Sequence, residues 1–466
     1  MKIVIIGGGI SGCTAYLQLK KHLPKPPASE RDHEITIYEA YDTNKDTTCD
    51  ERDGPTHSST LIVGGGLGIG PNGLHVLKRL DEDLLREIVR GGYVVPKSNM
   101  RNKNGRLLVR MNASDEPTSP DELPMHMVGC SRHWFWRCLR MRIPDSDIVT
   151  KRVAGVVANP DGRNVVSFVD DSPPVEADLV IGADGLKGIV KRALFPEAEE
   201  DPYPPHYEGL SGVGGFIPAD QVKDDVEKGS MNFIIGGNGF FGYFYSDSAP
   251  SAPHRDSPYH VSEPGESLGW WSTYQVDECP NPKTIDKEDV ARQLRERHRS
   301  WKDPVIQKVL DSLDVSSMYP TWTMSPLPTW ERNGVVLVGD AAHALPSTSG
   351  QGSSQALEDV EAFVLFLSHY MEKAYGSLNH DLEYKGVITT AAKQYMELRI
   401  PRVQAILEDA KRRQNVKRNM GLIEEYTMYC FMWILGWFPS IFAKQLKVVF
   451  DYNIAEEVNK TLSREK

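Results

Sequence analysis

The chain opens on apolar residues that stop at a glycine cluster: KIVIIGGGISG, residues 2–12. The unbroken apolar run predicts a strand covered on both faces. The glycines predict a tight turn into a helix, and Ala15, Leu19 and Leu23 mark that helix's inner face. EITIYEA (34–40) reads as a second strand. Residues 41–59 are polar and turn-rich and read as an exposed excursion. LIVGGGLGIGPNG (61–73) is apolar but broken by glycines, which predicts close backbone approaches. A helical segment is expected over 73–90.

Residues 91–130 mix strand and loop character, with a Pro/Ser/Asp-rich patch at 114–124. SRHWFWRCLRMRI (131–143) reads as helix. The stretch 149–171 reads as a hairpin around Pro160, Asp161 and Gly162. ADLVIGADG (177–185) is a buried strand ending in a turn. From about 205 to 317 the texture changes to aromatic strands such as FFGYFY (240–245) and GWWSTY (269–274), separated by a polar loop at 246–267. VVLVGDAAHALPSTSGQG (335–352) returns to a buried strand, closed by a Gly-Asp pair. It leads into a helix with an apolar face of Ala356, Leu357, Val360, Val364 and Leu367. No internal repeat is present. The expected fold class is α/β: a discontinuous Rossmann-like domain, an inserted mixed β-sheet domain and a helical C-terminus.

A length of 466 residues calls for two or three domains. The 53 basic and 64 acidic residues leave a net charge of −11, which argues against a nucleic-acid surface. The cysteines (Cys13, Cys49, Cys130, Cys138, Cys279, Cys430) show no CxxC spacing, so neither a disulfide framework nor a zinc site is expected. No histidine pair has metal-ligand spacing, and no metal is expected. The first strand begins at Lys2 and no leader is read ahead of it, so the expected location is cytoplasmic. TMYCFMWILGWFPSIFA (427–443) is uncharged but short for a spanning helix, and Pro439 interrupts it. Three readings stand: a packed C-terminal helix pair, a peripheral membrane contact, or an apolar mouth for a lipophilic substrate. Monomer and dimer are both compatible with the composition.

The chemistry is carried by Gly7-x-Gly9-x-x-Gly12, followed about 27 residues later by Glu39 at a strand end. Glycines let the backbone turn sharply and approach a pyrophosphate, which the helix N-terminus attracts. Glu39 can accept hydrogen bonds from a ribose diol. The motif calls for a dinucleotide without naming it.

Two later segments, GADG (182–185) and GDAAHALPSTSGQG (339–352), join the first in an order and spacing that resemble the class A flavoprotein monooxygenases. That family includes the para-hydroxybenzoate and salicylate hydroxylases. GIGPNG (68–73) and Ser131-Arg132 at a helix start support the likeness. It covers the dinucleotide-binding parts, about half of the chain.

The resemblance implies tightly bound FAD, with NAD(P)H as a transient co-substrate because only one dinucleotide fingerprint is complete. It implies an FAD-binding domain in three parts (1–90, 131–205 and 318–372). A substrate-domain excursion (91–130), a substrate-binding sheet domain (206–317) and a C-terminal helical region (373–466) complete the chain. Asp340 is assigned to the ribityl chain, Pro346 to the ring's neighbourhood, and Gly350 and Gly352 to a helix start at the flavin's N1/C2 edge. Reduced flavin is anionic there, and a helix N-terminus favours anions. Arg132 is assigned to the cofactor's phosphates, Asp184 to the pyrophosphate, and Gly66 to a glycine approach beside the cofactor. The copy departs from the family after Asp184-Gly185. The usual Ser and Arg are Gly188 and Lys191, which puts a nicotinamide role for that motif in doubt. His343 is expected to be structural.

The implied reaction is NAD(P)H- and O2-dependent hydroxylation or epoxidation of an apolar, aromatic or polycyclic molecule through a flavin C4a-hydroperoxide. Relatives act in degradation or in natural-product tailoring. Tyr243 is a candidate substrate contact. No arginine lies in GLSGVGGFIP (209–218), where many relatives carry one, so no cationic anchor is expected. Another flavin oxidoreductase, a halogenase or reductase, is the alternative, although the WxWxIP stretch of related halogenases and a CxxxxC redox pair are both absent. A non-catalytic flavin- or lipophile-binding protein is the third reading.

Overall fold

The computed structural model describes residues 1–28, 31–43, 65–117, 119–281, 286–313, 315, 318–376, 384–414, 418–438 and 446–464. Most of the expected excursion at 41–59 lies outside them, as do residues 439–443 of the apolar tail segment.

The first layer is a six-stranded sheet. Its order is β18 (Glu331–Arg332), β19 (Val335–Leu337), β12 (Leu179–Gly182), β1 (Lys2–Ile6), β2 (Glu34–Glu39) and β8 (Ile148–Thr150). The pairs from β19 through β8 are parallel. Helices cover such a sheet on its faces, so its central strands are apolar runs, as IVII of β1, LVI of β12 and VVL of β19 are. The expected α/β Rossmann-like layer is present.

Helix α1 (Ile10–His22) follows β1, and α2 (Pro71–Leu80), α3 (Glu82–Arg90) and α4 (Arg132–Arg140) pack beside it. The single helix expected over 73–90 is two. Asp81 is extended, and its carboxylate accepts from the amides of Asp83 and Leu84 to start α3. Ser131 caps α4 in the same way through Trp134 N.

The second layer is a mixed seven-stranded sheet. Its order is β17 (Met318–Thr323), β13 (His206–Pro218), β16 (Ser267–Gln275), β15 (Gly239–Tyr245), β14 (Ser230–Gly236), β5 (Lys97–Asn102) and β6 (Leu107–Asn112). Strand residues alternate between faces. Phe241, Tyr243, Tyr245, Trp270 and Tyr274 share one core with α5 (Lys287–His298) and α6 (Pro304–Asp311). Phe240, Phe244 and Trp271 cluster on the opposite face, with Phe233 beside them. The sheet continues to Thr323, past the 317 boundary expected from texture. Two three-stranded sheets complete the β structure. They are β3 (Gly66–Ile69), β7 (Met127–Ser131) and β4 (Gly92–Val95), and β11 (Val175–Ala177), β10 (Asn164–Phe168) and β9 (Val153–Val157). Antiparallel β9 and β10 are the expected hairpin.

After β19 come the short α7 (Asp340–His343) and the long α8 (Gly352–Gly376). The boundary expected at 372 falls inside α8. This helix touches α1, α2, α9 (Tyr384–Gln414) and α11 (Ile454–Arg464), and is buried on nearly every side. Of its predicted apolar face, Leu357, Val360, Val364 and Leu367 are in the main core, and Ala356 is buried beside them. Helix α10 (Leu422–Leu435) lies against β6 with Tyr429 and Met432 inward. No helix among the described residues is long and apolar enough to cross a membrane.

Candidate active site

Parallel neighbours β1, β12 and β19 end side by side, and each hands its chain to one of the three motifs. The glycines are required by this convergence. A Cβ at Gly12 would lie 1.9 Å from the Gly7 carbonyl oxygen, and one at Gly7 would lie 2.4 Å from the Ala183 oxygen, at a φ of +104°. Gly339, at φ +60°, leaves room for Ser11 of α1, whose Oγ would be 2.4 Å from any Cβ there. The first motif therefore touches both the Asp184 turn and the Asp340 turn.

Four other motif glycines face space instead of protein. A Cβ at Gly9, Gly185, Gly350 or Gly352 meets nothing within 4 Å. Gly9 is the N-cap of α1 and makes no side-chain cap. Its helix end therefore leaves orphan amides in an open cleft. That combination suits a phosphate-bearing ligand.

Asp340 is exposed at the first position of α7, and its helix start has no side-chain cap. Its carboxylate has no hydrogen-bond partner among the described residues, which excludes a capping role. The guanidinium of Arg132, half-buried at the start of α4, is likewise without a partner among them. Its neighbours are committed elsewhere: Arg140 to Thr43, Ile143 and Asp145, and Arg142 to Asp81 and Glu87. Glu39 is buried, and its two oxygens accept from Gly8 N (2.6 Å) and Tyr41 N (3.1 Å). Trp136 Nε1 donates to the Gly8 oxygen at 2.8 Å, so the turn is held from both sides.

Asp184 turns inward. Its Oδ2 accepts from Ile189 N (2.6 Å) and Val190 N (3.0 Å), while Oδ1 is buried without a partner among the described residues. Burial pushes this carboxyl up to about 6 against the pull of those amides. Lys191 is buried on Asp201 at 2.7 Å and on the Tyr203 carbonyl. That ammonium is spent on the fold.

Pro346 is buried and starts the turn Ser347–Ser349, followed by Gly350 at φ +59°. Behind the segment leading to it lies a small apolar hollow lined by Met324, Leu327, Trp330, His343, Val403 and Leu407. His343 is structural as expected, with Nε2 2.5 Å from Asp359 Oδ2.

Gly66 adjoins the aromatic sheet. A Cβ there would lie 2.6 Å from the Phe244 ring, and Gly129 is equally close to it. Phe244 thus closes on β3 and β7, and Phe233, Phe240 and Trp271 extend the same face. Tyr243 does not belong there. It is buried on the other face, with its hydroxyl 3.2 Å from Asp303 Oδ2, and burial raises its pKa further. The expected substrate contact is corrected on this point. The strand alternation in FFGYFY could have separated 240, 242 and 244 from 241, 243 and 245, but not told which set faces the cleft. No group of three metal-binding side chains occurs among the described residues.

Residues 149–383 match the family model described as "FAD binding domain". The chain belongs to this FAD-binding family. Curated relatives of this FAD-binding protein are monooxygenases. A 6-hydroxynicotinate 3-monooxygenase from Pseudomonas fluorescens is 25% identical over 69% of this chain and 76% of its own length. A 3-amino-4-hydroxybenzoate 2-monooxygenase from Streptomyces cremeus is 25% identical over 88% of this chain and 86% of its own. A salicylate hydroxylase solved as a substrate complex shares the fold, with a TM-score of 0.69 at 18% identity, covering 98% of this chain and 97% of that one. FAD-dependent monooxygenase is the enzyme class that the chain shares with these relatives.

Proposed function

We propose that this FAD-dependent monooxygenase consumes NAD(P)H and O2 to insert one oxygen atom into an apolar, aromatic or polycyclic small molecule. The observation that carries this reading is the meeting of three turns at adjacent strand ends, beside an aromatic sheet face. FAD, when bound, supplies the redox chemistry and the activation of oxygen.

The chain's own residues bind, orient and shield. Gly7, Gly9 and Gly12 bring the N-terminus of α1 to the pyrophosphate. Arg132 supplies the free cation beside it. Glu39 holds the turn and presents its remaining lone pairs to the ribose. Asp340, exposed and without a partner among the described residues, would accept from the ribityl hydroxyls. Gly350 and Gly352 leave the start of α8 open to the ring edge, where the helix dipole favours negative charge. Pro346 walls the ring. Asp184 serves through its backbone and that of Gly185, since its carboxylate is turned into its own loop.

Phe233, Phe240, Phe244 and Trp271 form the substrate wall in place of Tyr243. An apolar wall would exclude water from the oxygen-transfer chemistry that FAD supplies when bound. All three proteins named above act on aromatic acids. With no arginine at 209–218, this chain is better suited to a neutral substrate. No side chain is assigned as a base. Purified protein should be yellow, and substrate should accelerate NAD(P)H oxidation and gain one oxygen by mass. A colourless protein that cannot be reconstituted with FAD overturns the reading.

A second proposal concerns α10. Its inward side is held by Glu425, paired with Lys103 at 2.8 Å, and by Tyr429 beside the Ile235 oxygen. Its outward side shows Leu422, Ile423, Tyr426, Phe431 and Trp433, all exposed, and Trp437 is exposed just past its C-terminal end. A soluble helix would carry polar residues on that outward side, and the tryptophans suit a lipid interface. The same helix packs on Ile235 and Phe240 of the aromatic sheet. We read α10 as a membrane-surface contact beside the substrate wall, in keeping with a lipophilic substrate.

A further inference from the structure

Beneath the cleft, two adjacent carboxylates of α8 are wholly buried, and so is one arginine of α9: Glu358, Asp359 and Arg399 are each 0% exposed. Isolated buried charges are expensive, so their partners define what they do. Arg399 Nε donates to Asp359 Oδ1 at 2.8 Å and Nη1 to Glu358 Oε2 at 2.5 Å, while Nη2 donates to the Gln355 side chain at 2.7 Å. Arg402 adds a two-pronged contact to Glu358 at 2.7 and 2.9 Å.

The carboxylates also reach outward to the turns of the cleft. Asp359 Oδ2 accepts from Gly339 N at 3.0 Å and lies 2.5 Å from His343 Nε2, which brackets Asp340. Glu358 Oε1 accepts from Asn72 Nδ2 at 2.5 Å, and the other proton of that amide goes to Gln351 Oε1 at 3.0 Å. Asn72 belongs to the GIGPNG turn, and Gln351 sits between Gly350 and Gly352. One buried ion cluster therefore ties the start of α2 to the two turns between β19 and α8, which lie far from it in the chain.

Burial pushes both carboxyls up. Arg402 and Arg399 pull Glu358 below the ordinary range, and His343 and Arg399 do the same for Asp359. Removing the guanidinium leaves two carboxylates with less than their neutralising charge. A proton must then enter, or the outward hydrogen bonds must loosen. A lysine keeps the charge, but one ammonium cannot span both carboxylates in a fixed fork.

We infer that Arg399 is a positioning residue: through Glu358 and Asp359 it pre-sets the Gly339–His343, 70–73 and Gly350–Gly352 turns for FAD. This rests on the FAD reading of the cleft. It goes beyond that reading, because Arg399 hydrogen-bonds to Gln355, Glu358 and Asp359 and to none of the residues assigned to the cofactor.

The test is titration of FAD into apoprotein, followed by flavin fluorescence, alongside the melting temperature of the apoprotein. The fraction of NAD(P)H oxidation released as H2O2 is measured at saturating FAD. Arg399→Lys should weaken FAD binding about tenfold or more and raise the H2O2 fraction. Tyr395→Phe is the control: the same helix one turn earlier, with a buried hydroxyl that donates to Leu337 O at 3.1 Å. It should lower the melting temperature while changing FAD affinity less than about twofold.

If Arg399→Lys does not fold, Asn72→Ala cuts only the branch to the 70–73 turn and should weaken FAD about threefold to tenfold. A folded Arg399→Lys with a lowered melting temperature but wild-type FAD affinity and coupling overturns the inference, as does wild-type affinity in Asn72→Ala. Wild-type apoprotein that binds no FAD overturns the functional reading and this one with it.

Discussion

Gly188 faces the carboxylate of Asp184: a Cβ at Gly188 would lie 2.1 Å from Asp184 Cγ and from its Oδ1. The missing serine of the family pattern and the inward turn of Asp184 are therefore one feature. Gly188→Ser must displace the Asp184 side chain from its bonds to Ile189 and Val190. We expect a loss of about 1–3 kcal/mol in chemical denaturation of the apoprotein. An unchanged midpoint would show that the turn accommodates both side chains.

Asp184 also predicts a pH dependence. Its carboxyl moves from an ordinary 3.8 to about 6 in the folded protein, so the folded state holds that proton more tightly than the unfolded chain. The resulting stability is fully present below about pH 4 and is lost as pH rises through 6. Asp184→Asn keeps an acceptor for both amides and removes the titration. The stability of wild-type apoprotein relative to this variant should fall between pH 4 and 6 and level off above. A difference that stays flat across that window would contradict the assignment.

The glycines divide into two kinds. Gly12→Ala must open the turn against the Gly7 carbonyl, so both apoprotein stability and FAD binding should fail. Gly352→Ala meets open space and adds a helix former, so apoprotein stability should hold or rise by up to about 1 kcal/mol. FAD affinity should still drop, about tenfold, because the new methyl group stands where the ring edge is expected. Equal FAD affinity in Gly352→Ala would remove that position from the site.

Tyr243 and Trp271 lie on opposite faces of the aromatic sheet and should respond differently. Tyr243→Phe leaves the buried Asp303 short of a partner and should cost about 1–2 kcal/mol of stability, with the KM for substrate unchanged. Trp271→Ala should raise that KM severalfold. Steady-state kinetics of both variants on one substrate decide this; a KM effect confined to Tyr243→Phe would reverse the assignment of faces.

The exposed face of α10 gives a binding prediction. The FAD-loaded protein should co-sediment with phosphatidylcholine vesicles, and Trp433→Glu with Trp437→Glu should abolish this while NAD(P)H oxidation with a water-soluble substrate persists. Equal sedimentation of wild type and double variant, or none by either, argues against the lipid contact.

The local sequence determined the elements and the three turns. An apolar run that ends in glycine has few conformations open to it, and short-range sterics decide among them. The strand starting at Lys2, the helix starting near Ser131 and the apolar face from Ala356 to Leu367 were all legible from such local patterns. The sequence could place Gly7, Asp184 and Asp340 at strand ends. It could not show that Gly339 is pressed on Ser11, or that Asp184 folds back into its own turn. It also could not show that Tyr243 points away from the aromatic wall. Those facts depend on which strands become neighbours and which sheet face meets the other layer. The Arg399 cluster is the extreme case. Its members come from residues 72, 339–359 and 399–402, and only tertiary packing brings such distant charges out of water and into contact.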